Sequence, residues 1–210
     1  GYIVRTPMVV SLPNHQVEQI VCTEMVTFIR TQGNTLHVLS NYTMRTFKIP
    51  LPKSRTYKEI DAFDHFTPRE VPSEVVDMKC SNRFGNRICF KYASGRIGII
   101  NWKGDSTKMW SKMPNSLPVN LYWTPNLQSN RCADFDVSAQ GKLLICTVSG
   151  EVYTLDGVNS RPEKVHSSKL HSGRAVNVSC DSSFGSFAIL KSEFNEIPMI
   201  YPKDTLYFDF

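Results

Sequence analysis

The chain has 210 residues, 41% apolar and 20% charged, and its 24 basic and 19 acidic side chains leave a net charge of +5. That composition excludes a disordered or fibrous chain and suits a single array of β modules. Lys and Arg are spread rather than clustered, so no nucleic-acid partner is expected. No run is long enough to span a bilayer and no signal peptide is read at the start, so the expectation is no membrane insertion and a cytoplasmic location.

In chain order, residues 1–16 read as a leading strand, TPMVVSL, closed by Pro13-Asn14. A first meander covers 17–42: VEQIVC, then VTFIRT, then Gly33 and LHVL. A polar connection, 43–71, follows with KIPLPK, a basic patch from Arg55 to Lys58 and the acidic Asp61–Asp64 segment. Within it YKEIDAFD, starting at Tyr57, reads as an outer strand completing the unit. The second meander, 72–102, holds VVDMKC, ICFKY, Gly95 and IGII, and ends on Asn101-Trp102. A connection, 103–130, carries aromatic, basic and proline residues. The third meander, 132–157, has the clearest pattern: Phe135 and Val137 alternate with Asp134, Asp136 and Ser138, LLICTVS follows, and Ser149-Gly150 turns the chain into VYTL. Alternation marks strands with one buried face, and glycine pairs mark the turns between them. After a short connection, 158–172, the fourth meander, 173–202, replaces the glycine turn with SEFNE and continues to IPMIY and the tail YPKDTLYFDF.

One motif ties these units together. Apolar-x-x-apolar-x-Cys occurs as Val17…Ile20…Cys22, Val75…Met78…Cys80 and Ala175…Val178…Cys180, and the third unit reads Cys132…Phe135…Val137. Units repeating about every 40–60 residues fall in the range of propeller blades. The fold expected is therefore all-β, with about four antiparallel meanders forming β-propeller blades over 1–210 as a single segment. Propellers close with about four to eight blades, so this array is read as the C-terminal part of a larger ring of about seven. An incomplete ring would expose blade faces and self-associate.

No catalytic or cofactor site is read. The five histidines (His15, His37, His65, His166 and His171) are scattered and expected on turns or strand surfaces. Nucleophile elbow, phosphate loop and zinc-helix motifs are missing. Asp134 and Asp136 are read as the polar side of an alternating strand rather than as paired catalytic carboxylates. The six cysteines lack C-x-x-C spacing and fall mostly on apolar strand positions, as reduced packing residues in a reducing compartment. Function is placed instead in the connections between units, where loops on a rigid scaffold make contacts. Trp102, Lys103, Lys108, Trp110, Lys112 and Trp123 interleave aromatic and basic side chains and form the expected partner-binding segment.

Residues 170–198, strongest over RAVNVSCD and FAILKS, resemble the last propeller segment of the inhibitor of Bruton tyrosine kinase family. DFDVSAQGKLLICTVSGEVY, 134–153, is similar to the segment before it, and the first unit matches the general repeat form. That family carries repeats like those of the regulator of chromosome condensation. The resemblance implies a non-catalytic protein-binding module. It would bind a kinase pleckstrin-homology domain and inhibit the kinase, or recognise substrates for a cullin-based ubiquitin ligase. The alternative of the same repeat type is guanine-nucleotide exchange or chromatin binding. This sequence departs from the usual Cys-Gly-x-x-His and Trp-Gly signatures: Cys22 is followed by Thr-Glu, and the strands end in Ser-Asn, Asn-Trp and Asp-Gly. Those departures weaken the alternative.

Overall fold

The computed structural model describes residues 9–12, 16–58, 67–80, 85–125, 128–157, 160–166, 173–192 and 206–207. Strands β1 (Val17–Cys22), β2 (Thr27–Thr31), β3 (Thr35–Ser40) and β4 (Thr43–Lys48) form one antiparallel sheet in that order. A hairpin of β5 (Lys53–Lys58) and β6 (Thr67–Pro72) comes next. The second sheet takes β7 (Val75–Lys79), β8 (Arg87–Tyr92) and β9 (Ile97–Asn101), then helix α1 (Ser106–Lys112), then β10 (Asn120–Trp123) as its outer strand. The third sheet is β11 (Cys132–Val137), β12 (Leu143–Thr147), β13 (Val152–Leu155) and β14 (Glu163–Lys164). β15 (Arg174–Cys180) pairs with β16 (Phe187–Ser192), and β17 (Leu206–Tyr207) joins the free side of β5.

A spacing of three apolar residues is foreign to a strand whose side chains alternate, and the backbone resolves the conflict with a bulge. Each first strand carries one at the same place: between Val17 and Gln19, Val75 and Asp77, Cys132 and Asp134, and Ala175 and Asn177. The extra residue returns the alternation to the original face. Ile20↔Ile29, Met78↔Phe90, Phe135↔Ile145 and Val178↔Ile189 are consequently equivalent cross-strand pairs. The four motif sites thus share one geometry, and the units are propeller blades: up-and-down meanders stacked face to face.

Stacking is visible in three apolar layers. Phe28, Leu36, Val38 and Phe47 of the first blade meet Val75, Met78, Ile88 and Phe90 of the second. Cys89, Ile97 and Ile99 meet Phe135, Val137, Leu143 and Ile145 of the third. Leu144, Cys146 and Val152 meet Ala175 and Val178 of the fourth. Polar side chains stitch the same seams. Arg30 donates to the Val75 carbonyl at 2.8 Å, and in the next seam Lys91 donates to the Ala133 carbonyl at 2.6 Å, both beside a bulge. The Gly95 carbonyl accepts from the Cys132 amide, and the Gly150 carbonyl accepts from the Ala175 amide. Both glycines have positive φ (79° and 84°) and lie directly against Arg131 and Arg174 of the following blade, so their turns tolerate no Cβ.

Several sequence expectations change. The connection read as 43–71 contains β4, which completes the first blade, while Tyr57 and Lys58 belong to the separate β5–β6 hairpin. A two-residue turn makes the β3–β4 step: Asn41 and Tyr42 both take positive φ (48° and 59°), matching strand twist. His37 is not on a surface; it is buried in β3, its two ring nitrogens bonded to the hydroxyls of Thr31 and Thr46. His15, His65 and His171, residues 193–201 of the SEFNE–IPMIY part of the fourth meander, and residues 59–64 of YKEIDAFD lie outside the described residues.

Candidate protein-binding cleft

The segment between β9 and β10 is built around α1. Asp105 caps the helix, accepting from the Thr107 amide at 2.9 Å and the Thr107 hydroxyl at 2.7 Å. These bonds, the hydroxyl one foremost, hold its carboxyl below the usual range. Pro114 directly follows the C-cap Met113, where it blocks continuation. Ser106, Met109, Trp110 and Met113 form the buried stripe, spaced as one face of a helix. Trp110 wedges between Phe28 and Phe47, with ring centroids 5.3 and 5.6 Å away, and its indole N–H donates to the Gly85 carbonyl at 2.9 Å. Arg45 of β4 donates to the Trp110 and Ser111 carbonyls at 2.8 and 2.7 Å, tying the helix end to the first blade.

Two depressions flank the exposed ridge of α1. The larger, about 380 Å³, lies among Trp102, Gly104, Met109, Met113, Pro114 and Pro118, with Lys103, Lys108 and Lys112 also on its wall. Its size is within the range of ligand-binding clefts. Trp102 is 49% exposed, a large indole left beside the cleft rather than packed. Lys103 and Lys112 make no ion pair among the described residues; Lys108 reaches Asp105 only at 4.0 Å. The smaller depression, about 140 Å³, lies on the other flank among Ser40, Asn41, Thr43, Arg45, Thr107 and Ser111. Lys108 borders both. The Ser40 hydroxyl is buried there with no hydrogen-bond partner among the described residues.

Of the six residues singled out from sequence, the structure brings together Trp102, Lys103, Lys108 and Lys112. Trp110 and Trp123 do not join them, because both are buried. Trp110 is core, as above; Trp123 packs on Tyr153 at 5.4 Å and donates its indole N–H to the Asn130 carbonyl at 3.0 Å. Burial satisfies both the ring and its one donor. Sequence reasoning missed Arg45, Ser40 and the floor formed by Met109 and Met113. The available signal was the Asp105 cap followed by apolar or small residues at 106, 109, 110 and 113, a one-turn-and-more helical stripe.

Asp134 and Asp136 are more than a polar strand face. Asp134 accepts from the Val178 amide at 2.9 Å and from Lys79 at 3.3 Å, while Asp136 accepts from the Cys180 amide at 2.8 Å. They are seam residues. The cysteines are all free thiols. Burial is the main cause that pushes Cys146 and Cys180 up to about 12 and raises Cys89 and Cys132 as well, so those four are protonated packing groups at neutral pH. Among the described residues no cluster of His, Cys, Asp and Glu has a metal-holding arrangement, and no helix is long and apolar enough to cross a membrane.

No protein-family model matches the chain, and no curated protein matches it. Solved structures that it resembles include the N-terminal domain of Nup159, at 14% identity and a TM-score of 0.43 over 90% of this chain. Another is a complex of S. cerevisiae Dbp5 bound to Nup159, Gle1, IP6 and ADP, at 14% identity and 0.41 over 78%. A fragment of HIRA aligns at 11% identity and 0.39 over 71%. The chain spans 44%, 35% and 40% of those matched chains respectively, under half of each. The propeller assignment stands on the strand order, the shared bulges and the stacked layers.

Proposed function

We propose that this chain is a non-catalytic protein-binding module that grips an extended partner segment in the cleft beside α1. The observation that carries the reading is the uncovered Trp102 over a floor of Met109 and Met113, surrounded by Lys103, Lys108 and Lys112. An indole and methionine floor buries apolar side chains, and three ammonium groups against one carboxylate, Asp105, select acidic ones. The partner is therefore an apolar segment with Asp or Glu beside it. On the smaller flank Lys108 and Arg45 supply donors for one such carboxylate. In the finer form suggested by the sequence resemblance, the partner is a kinase pleckstrin-homology domain, with kinase inhibition as the consequence, or a substrate of a cullin-based ubiquitin ligase.

The test is retention of a purified pleckstrin-homology domain, and separately of an acidic-apolar peptide, on the immobilised chain. The Trp102→Ala/Lys112→Gln double variant is expected to weaken binding by at least about tenfold, since anchor residues dominate such contacts. Capture of the peptide but not the domain would remove the finer reading. Equal retention of both ligands by wild type and double variant would remove the cleft.

A further inference from the structure

We infer that the smaller depression beside α1 is a phosphate-monoester pocket, which takes a phosphorylated serine or threonine of the partner segment. The inference deepens the reading above and rests on it for the course of that segment, because Lys108 borders both depressions. At about 140 Å³ the depression is smaller than the roughly 300–1,000 Å³ of a small-molecule site, and it has room for one tetrahedral oxyanion. Its walls come from β3, the β3–β4 turn, β4 and α1. Val38 and Trp110 on those walls belong to the apolar layer between the first and second blades, so neither outer face of the stack opens it.

Two cations and no carboxylate line the pocket. Arg45 is fixed in place: Nη1 donates to the Trp110 and Ser111 carbonyls at 2.8 and 2.7 Å, and the guanidinium lies over the Phe47 ring at 5.0 Å. Those contacts use one nitrogen and leave the charge uncompensated. Among the described residues no carboxylate pairs with Arg45, and its Nε and Nη2 bond nothing. Asp105, 4.0 Å from Lys108, lines the larger cleft and not this one. The hydroxyls here are already committed as donors: Thr43 to the Ser40 carbonyl, Thr107 to the Asp105 carboxylate and Ser111 to the Lys108 carbonyl. What remains is the Lys108 ammonium, the other Arg45 N–H groups and the Asn41 amide, which bonds nothing among the described residues. The turn holds Asn41 at φ 48°, a backbone state that asparagine adopts more readily than most residues.

Three donor groups and two positive charges match a phosphate monoester, which brings three acceptor oxygens and about −1.5 to −2 charge at neutral pH. A carboxylate brings a single charge, so one of the two cations stays unpaired. A guanidinium already held by backbone carbonyls loses little further freedom on binding. A lipid headgroup presents the same phosphate, but a peptide also continues past Lys108 into the indole-and-methionine cleft, so the phosphate is assigned to the partner segment.

Calorimetry on the full chain with three peptides tests this, using one acidic-apolar sequence that carries serine, glutamate or phosphoserine at a single position. The phosphoserine form is expected to bind at least about tenfold more tightly than the glutamate form. Asn41→Gly/Lys108→Gln removes two of the three donor groups at exposed side chains and should shrink that preference to within about twofold. Trp102→Ala should weaken all three peptides by a similar factor and leave the preference in place. Three peptides bound equally well would overturn the pocket and leave the cleft reading standing. A preference undiminished in the double variant would overturn it too, as would binding of phosphatidylinositol-4-phosphate vesicles with no preference among the peptides. Titration with O-phosphoserine separates the two readings. A shift of the Asn41 side-chain amide resonance with no peptide bound by the chain would keep the pocket and remove the cleft; an unmoved resonance would overturn the pocket whatever the peptides do.

Discussion

The blade seams and the cleft beside α1 are made of similar residues used in opposite ways. In the seam between the second and third blades, Cys89, Ile97, Ile99, Phe135 and Leu143 are buried and Lys79 and Lys91 donate to backbone carbonyls of the third blade, while in the next seam Asp134 and Asp136 accept from fourth-blade amides. In the cleft, an indole and three lysines sit around buried methionines without such engagement. A cation bonded to a buried carbonyl holds the fold. A cation over solvent contributes little to stability and is available to a partner. The difference teaches that residue type alone does not separate scaffold from surface in this chain; position relative to the next blade does.

The contrast is broken or sharpened by variants on either side. The largest effect is expected from Trp110→Ala, which removes the wedge between Phe28 and Phe47 and should cost about 3–5 kcal/mol in denaturant unfolding. Asp136→Ala strands the Cys180 amide in the third seam and should cost about 1–3 kcal/mol by the same measurement. Gly150→Ala places a Cβ against Arg174 at positive φ and should cost more than about 1 kcal/mol. A smaller effect concerns Glu151 on the third blade, whose carboxyl is held below its ordinary value of 4.5 by bonds from Lys164 and then Tyr153. A depressed folded pKa contributes stability that is full above the unfolded value and is lost as pH falls through the folded one. The stability gap between wild type and Glu151→Gln should therefore be widest at neutral pH and close on acidification below 4.5, read by unfolding at a series of pH values. Trp102→Ala should change stability by less than about 0.5 kcal/mol. A loss as large as that of Trp110→Ala would mean that the exposed indole is scaffold after all.

Among the tryptophans, sequence reasoning grouped Trp102, Trp110 and Trp123 because they share a loop-rich, basic stretch. Only Trp102 stays at the surface. Trp110 lies on the inner stripe of a seven-residue helix, and a helix that short gives too few turns for its period to stand out against the flanking strands. Its partners, Phe28 and Phe47, are remote in sequence, so nothing near position 110 announces them. Asp134 and Asp136 are the converse case: alternation correctly placed them on one strand face, but the amides they hold belong to the fourth blade.

What the sequence by itself determined is local: short strands, glycine turns with positive φ, and the repeated three-residue apolar spacing, which a bulge in each first strand makes physically consistent. These depend on backbone sterics and on neighbours a few residues away, so they are written in contiguous residues. Only the tertiary structure decided which polar residues are stitches and which tryptophan is left in solvent. Those outcomes depend on which blade stands next to which, and that contact joins residues far apart along the chain.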